Sequence, residues 1–404
     1  MKNTKMRFVI PAAGVGRRVS RFLTTGRTRQ ESVMATTKKN TTFSAGLLVW
    51  FGEHRRPLPW RETRDPYWIW LSETMLQQTQ AHVVIPYYNR FLARFPDTRS
   101  LAAAGEDDVL KLWEGLGYYR RIHHFIAAVK AVCARYGGEI PNDPETFRNL
   151  AGVGDYTAAA VLSIAFGRVL PVVDANVLRV MTRYFRIADA TDRAKTKRII
   201  REELQRLIPD DAPGDFNQAM MELGALVCAS RNPRCDVCPI AGGCGAYAAG
   251  ETDRYPHSAK KPKVPEYRVA LGLVMQEGRF LIQKRPSSGH LAGMWELPGG
   301  KIRDGESPEQ ALRRKCREEL GLDILVQERC AAASHAYSHF KIHVSLYRCD
   351  AGRMIEKPMR NQTLAWIDEA EIPAYPFPSV NHKLFAALPS PNATLPMIAP
   401  VRER

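Results

Sequence analysis

Apolar positions recur at three- and four-residue spacing from Phe43 to about Gly250, the period of helices that bury one face. The pattern predicts helices over Tyr67–Thr79, Asp107–Leu116, Ile122–Tyr136, Tyr156–Phe166 and Ala175–Phe185, separated by Pro and Gly breakers. After Glu266 the period shortens. Arg268–Met275 and Phe280–Lys284 read as a hairpin around Glu277-Gly278, Ser307–Leu320 as a helix, and the segment around Ile342–Arg348 as a further strand. Between the two regimes, Pro256, Pro262 and Pro265 stand among Lys260, Lys261 and Lys263, a composition suited to a tether. The expected architecture is an all-α domain over 43–250, a linker over 251–265, a smaller α/β domain over 266–386 and a tail over 387–404.

Charge changes the picture at the N-terminus. The 404 residues carry a formal +16, which implies a polyanionic partner, nucleic acid by default. Residues 1–40, with ten Lys/Arg and the single acid Glu31, supply +9 of it. The segment 1–42 is read as a basic, disordered tail. A transit peptide, a DNA-seeking arm and sequence upstream of a start at Met34 all fit it, and the last is preferred. Gly14-Val15-Gly16 lacks the third glycine and the strand unit of a dinucleotide fingerprint. The rest of the chain still carries +7, so the nucleic-acid expectation survives without the tail. No run of eighteen apolar residues offers a spanning helix.

Of eight cysteines, four follow the pattern C-x6-C-x2-C-x5-C at Cys228, Cys235, Cys238 and Cys244. No secretory signal precedes them, so a metal site in a reducing compartment is expected rather than disulfides. Four thiolates on a short loop hold either tetrahedral zinc or a 4Fe–4S cube. Zinc sites commonly use two C-x2-C knuckles, and only one is present. Cys133, Cys316, Cys330 and Cys349 read as ordinary buried thiols. The six-two-five spacing resembles the iron–sulfur loop of the endonuclease III-like superfamily, which implies a 4Fe–4S cluster on the four clustered cysteines. Arg231 and Arg234, within that loop, would face a phosphate backbone.

Leu150–Thr157 looks like a helix-hairpin-helix, with Gly152 and Gly154 allowing a turn whose N–H groups grip a phosphate. Some twenty residues later Asp174 opens an amphipathic helix behind Pro171. This sequel resembles the hairpin-Gly-Pro-Asp glycosylase pattern, with Ala151 standing where the hairpin proline is usual. Taken alone, Asp174 is a capping residue, and cap and helix dipole favour its anion. Glu73 lies among apolar residues in Ile69–Thr79. Its plain reading is a helix-surface acid, but desolvation there should raise its pKa. One carboxyl held as acid and one as anion is the arrangement that glycosidic cleavage needs.

Leu58-Pro59-Trp60-Arg61, Ser72–Gln80, Gly115–Tyr119 and Met221–Cys228 together resemble the MutY family of adenine DNA glycosylases, over about residues 43–386. The resemblance implies a helix-hairpin-helix fold with an iron–sulfur loop, and removal of adenine opposite 8-oxoguanine or guanine in double-stranded DNA. By the same motifs, Glu73 would protonate the departing adenine and Asp174 would stabilise or trap the sugar cation. Tyr156 and Asn176 would position water and sugar. Arg56, Leu58, Trp60, Arg61 and Glu222 would line the base pocket, while Gln78 and Tyr118 would wedge into the stack. Bifunctional relatives carry a nucleophilic lysine where this chain has Tyr156, so no Schiff base is expected. A monomer acting in the cytoplasm, at a bacterial nucleoid, is the implied setting.

Gly300–Leu322 resembles the Nudix box, matching at Gly300, Glu306, Arg314, Glu318, Glu319 and Gly321. Lys315 replaces the first glutamate of the metal-binding run, which makes hydrolysis doubtful and leaves recognition of an oxidised guanine as the expected use. Tyr337-Ser338-His339 resembles the family's 8-oxoguanine loop, with Tyr337 where Phe is frequent. A metal on His335, His339 and His343 is disfavoured by their strand-like setting and the lack of an acidic partner. Rival readings are an endonuclease III-like pyrimidine glycosylase and lyase, a nucleotide pyrophosphohydrolase, and a non-catalytic iron–sulfur DNA-binding module.

Overall fold

The computed structural model describes residues 29–257, 264–354 and 363–388, with side chains from Thr42 onward. Helices α1 (Arg29–His54), α2 (Pro66–Leu76), α3 (Ala81–Arg94), α4 (Thr98–Ala102), α5 (Glu106–Trp113) and α6 (Arg120–Tyr136) lead into α7 (Pro144–Arg148), α8 (Asp155–Phe166), α9 (Ala175–Phe185), α10 (Ala194–Leu207), α11 (Pro213–Leu226) and the short α12 (Gly245–Ala248). Local chemistry starts them where the sequence suggests. Asp65 caps α2 by accepting from Tyr67 N at 2.8 Å and Trp68 N at 3.1 Å, with Pro66 in the first turn. Gly137 ends α6 in the left-handed region.

α1 begins at Arg29, inside the segment 1–42 that the sequence reads as a tail, and runs on into its packed part. Adding turns to an existing helix needs no new nucleus, so the amphipathic stretch after Phe43 can propagate backward through residues without a stripe of their own. Residues 1–28, residues 258–263 of the linker, residues 355–362 and the tail from 389 lie outside the described residues.

The helices bury two separate cores. One gathers α2 to α8 around Trp70, whose ring meets Phe125 and Phe147 edge-on at 4.9 and 5.0 Å. The other gathers α1, α9, α10 and α11 around Leu47, Val180, Ile200 and Leu223. The seam between them is where a cavity can persist, because neither core fills it.

The C-terminal region is a mixed sheet with a helix on each face. Strands β1 (Glu266–Gln276), β2 (Arg279–Lys284), β3 (Trp295–Glu296), β4 (Gly299–Lys301), β5 (Leu322–Ala336), β6 (Lys341–Met354) and β7 (Leu364–Ile367) follow the order β3-β2-β1-β6-β5, with β4 on β1 and β7 on β2. β1 and β6 run parallel, and the β1–β2 hairpin turns at Glu277-Gly278 as expected. α13 (Pro308–Leu320) starts at a Ser307 capping box and packs Leu312 and Cys316 on one face. α14 (Ser379–Ala386) covers the other with Val380 and Leu384. Of the unclustered cysteines, Cys316 and Cys349 are buried, whereas Cys133 and Cys330 are only partly so. Met294, between β3 and the preceding loop, is wholly buried yet belongs to the helical core around Trp70. Among the described residues no helix is long and apolar enough to cross a membrane.

Candidate active site

A cavity of about 430 Å3, within the range of small-molecule sites, opens at the seam of the two helical cores. α2 supplies Glu73, α8 supplies Tyr156, the α9 N-terminus supplies Asp174 and Asn176, and α11 supplies Glu222. Arg56, Leu58, Trp60 and Arg61 close it from the segment between α1 and α2. Every residue assigned from sequence to catalysis or to the base pocket lines this one space.

Glu73 is 4% exposed. Burial pushes its carboxyl up to about 7; a hydrogen bond from the Tyr156 hydroxyl and the charge of Arg61 oppose the rise, and Asp174 adds to it. The same burial, with Glu73 and Asp174 nearby, holds the Tyr156 phenol well above its usual range, so it stays a hydrogen-bond donor. Asp174 does cap α9, accepting from Val177 N at 2.7 Å and Asn176 Nδ2 at 2.9 Å. Burial outweighs those donors and raises the Asp174 carboxyl above its ordinary value. The two carboxyls therefore share one desolvated space, and each disfavours ionisation of the other.

Glu222 is the opposite case. It is 1% exposed, and burial alone would raise its pKa, but hydrogen bonds from Arg56 and Arg61 hold it at about 2. Arg56 Nη2 reaches Oε2 at 2.6 Å and Arg61 Nη2 reaches it at 3.0 Å; Arg56 N, Arg56 Nε and Arg61 Nη1 share Oε1. The carboxylate's acceptor capacity is consumed by the protein itself. Glu222 thus shapes the pocket wall by fixing two arginines.

A second crevice, about 670 Å3, lies between the helical and sheet regions and gathers Gln78, Tyr118, Gly152, Tyr337, Ser338 and His339. Gln78 and Tyr118 both hold left-handed backbone, with φ of 60° and 49°. Such strain in non-glycine residues persists only where surroundings impose it. Arg121, which sequence reasoning missed, imposes it here. Its Nη1 donates to the carbonyls of Thr74, Met75 and Gln77, and its Nη2 to that of Gly117 at 3.2 Å, tying the two turns together. Tyr337-Ser338-His339 form the turn between β5 and β6, closed by Tyr337 N on Phe340 O at 2.8 Å. Ser338 Oγ donates to the Tyr118 hydroxyl at 2.7 Å, across the crevice. His343 has the acidic neighbour that the sequence did not reveal, Glu266 at 3.3 Å.

In the hairpin, Gly152 has φ +73°, and a Cβ there would lie 2.6 Å from His124 Cβ, so only glycine fits without displacement. Gly154 caps α8 without a side chain and leaves that helix end open to an anion.

Behind α9, Cys228, Cys235, Cys238 and Cys244 line one small cavity. Burial, then the neighbouring thiols, push Cys238 up to about 12. Among the described residues no three His, Cys, Asp or Glu side chains are gathered as for a single metal ion. Four thiols lining one space are a donor set of the kind that holds a metal or an iron–sulfur group. Arg183 anchors this loop, donating to Cys228 Sγ at 3.3 Å and Ala229 O at 2.7 Å. Arg179 links it onward: Nε donates to Cys228 O and Nη2 to Asn176 Oδ1, the partner of Asp174. Arg231 and Arg234 are exposed on the loop.

In the sheet region the Nudix-like carboxylates are all paired internally. Arg314 grips Glu306 at 2.6 and 2.8 Å and reaches Glu318 at 3.3 Å, while Lys315 pairs with Glu319 at 2.5 Å.

Residues 71–210 match the HhH-GPD superfamily of base excision DNA repair proteins, and residues 269–387 match the NUDIX domain. The chain is 34% identical to the adenine DNA glycosylase of Mus musculus, covering 76% of this chain and 70% of that protein. It is 31% identical to the adenine DNA glycosylase of Buchnera aphidicola from Acyrthosiphon pisum, covering 75% and 85%. Among solved structures, a thermostable thymine-DNA glycosylase superposes with a TM-score of 0.49 at 31% identity, covering 53% of this chain and 99% of its own.

Proposed function

The chain belongs to the adenine DNA glycosylases of base excision repair, and from that premise we propose that it removes adenine opposite 8-oxoguanine or guanine without cutting the strand. The observation that carries this reading is the buried Glu73, bonded to Tyr156 and sharing its cavity with Asp174. An adenine flipped out of the duplex would enter this cavity between Trp60, Leu58 and the fixed arginines. Glu73, with its carboxyl near 7, retains a proton at neutral pH and gives it to the leaving base. Asp174 would set its anion against the positive charge that grows on the sugar. Asn176 holds Asp174 in place and Tyr156 holds Glu73.

Tyr156 also argues for base removal alone. Its phenol, held well above its usual range, offers no amine to form an imine with the sugar. Gln78 and Tyr118, on their constrained turns, would fill the space that the base vacates, and Tyr337, Ser338 and His339 would read the opposite oxidised guanine. Gly152 and the open α8 terminus at Gly154 would take a backbone phosphate. Cys228, Cys235, Cys238 and Cys244 would hold a 4Fe–4S cluster, which supplies a covalent staple for the loop that Arg183 and Arg179 tie to α9. One chain supplies both cavities, so a monomer suffices. A duplex substrate and a thiol-held cluster both suit a reducing compartment, the cytoplasm at a bacterial nucleoid.

The test is a duplex with adenine opposite 8-oxoguanine, incubated with the protein and split into alkali-treated and untreated halves. Strand breaks should arise only after alkali. Breaks in the untreated half would refute the monofunctional reading, and intact duplex in both halves would refute adenine release.

A further inference from the structure

The helical and sheet regions meet at several places, among them Met294 in the helical core, His123 on the Ala292 carbonyl and one stripe of α5. Asp107, Lys111 and Glu114 follow one another at four- and three-residue steps, which puts them on a single helix face. Asp107 accepts from Lys284 Nζ at 2.6 Å and Trp295 Nε1 at 3.3 Å. Lys111 Nζ donates to Tyr375 O at 2.9 Å. Glu114 ends the stripe. Its Oε1 accepts from the Phe377 backbone N–H at 2.6 Å and from His382 Nε2 at 2.7 Å, and its Oε2 pairs with Lys111 at 2.7 Å.

Glu114 is also the C-terminal cap of α5, so the next residues are the Gly115–Tyr119 turn that carries Tyr118. The sheet region therefore holds that turn at two points. At its root it holds Glu114 through Phe377 and His382; at its tip it holds Tyr118 through Ser338. The tip bond joins two groups that both face the DNA crevice. The root contact lies outside that crevice and is free to persist with DNA bound.

We propose that Glu114 is a positioning residue for discrimination of the opposite base: it fixes the sheet region to the root of the wedge turn and so sets Tyr118 against the Tyr337-Ser338-His339 loop. This inference rests on the proposed reading of 8-oxoguanine by that loop. Cutting Glu114 back leaves the Phe377 N–H and His382 without their acceptor and lets the sheet region shift against the turn. A misplacement of about 1 Å in a recognition element costs up to roughly a hundredfold in rate. Glu73, Tyr156 and Asp174 stand on α2, α8 and α9, none of which Glu114 contacts in these bonds.

The experiment compares single-turnover adenine release from A:8-oxoguanine and A:G duplexes by the full chain, Glu114→Ala and His382→Ala. The rate on A:8-oxoguanine should fall about tenfold in Glu114→Ala, while the rate on A:G stays within about twofold. His382→Ala should shift the ratio in the same direction by less, and it carries the test alone if Glu114→Ala does not fold. Equal losses on both duplexes would mark a merely structural contact and overturn the proposal. An unchanged ratio would overturn it too. An unaltered chain that showed no preference for 8-oxoguanine would defeat the reading of the loop and, with it, this inference.

Discussion

The helical and sheet regions each hold glutamates at or beside a helix, buried at Glu73 and half-buried at Glu306 and Glu319, and they treat them in opposite ways. Just before α13, Glu306 is held at about 2 by the Arg314 fork, and on α13 Glu319 is paired with Lys315. On α2, Glu73 meets a phenol and a second carboxyl, and the arginine whose charge reaches it is bound to Glu222. A carboxyl becomes a proton donor where its neighbours withhold a cation, and a structural post where they supply one. The sheet region matches the NUDIX domain, yet the acids of its Nudix-like run are already spent on its own cations. The helical region keeps two acids in reserve.

The largest way to break this comparison is Glu73→Gln. The variant keeps shape and hydrogen bonding but cannot donate the proton, so base release should fall about 10²–10⁴-fold while lesion-duplex binding is retained. Release at near the unaltered rate in single-turnover assays would remove Glu73 from the chemistry. A smaller effect sharpens the same point through pH. With its carboxyl near 7, Glu73 loses its proton above that value, and release should drop about tenfold per pH unit beyond it. The fold should follow in sign. A carboxyl whose pKa is raised on folding contributes stability that is fully present below its unfolded value and is lost as pH rises through about 7. The thermal midpoint should therefore decline over that window, and Glu73→Gln should flatten the decline. A release rate that stays level well above pH 7 would contradict both. The smallest effect is expected from Lys315→Glu. One restored carboxylate leaves Glu306 and Glu318 on Arg314, so 8-oxo-dGTP hydrolysis should stay negligible and adenine release should stay within about twofold. Efficient turnover by this variant would mean that the sheet region is one residue from being an enzyme.

Much of this molecule is written locally in its chain. The change of hydrophobic period near Glu266, the caps at Asp65 and Ser307, the hairpin turn at Glu277-Gly278 and the spacing of four cysteines all act over a few residues, and sequence reading recovers such short-range signals. The candidate site residues were legible one by one through their motifs. The reach of α1 back to Arg29 was not, because helix propagation leaves no stripe to read.

What folding alone decided is how distant residues set one another's chemistry. Tyr156 and Glu73 are 83 positions apart, Glu222 and Arg56 are 166, and Glu114 and His382 are 268. Whether Asp174 is a quiet cap or a desolvated acid, whether Glu222 is free or saturated, and how the sheet region is bolted beside the wedge turn depend on what packs against them. Ionisation and position respond to the dielectric and to the partners within a few ångströms, and a linear order of residues does not specify those until the chain has closed on itself.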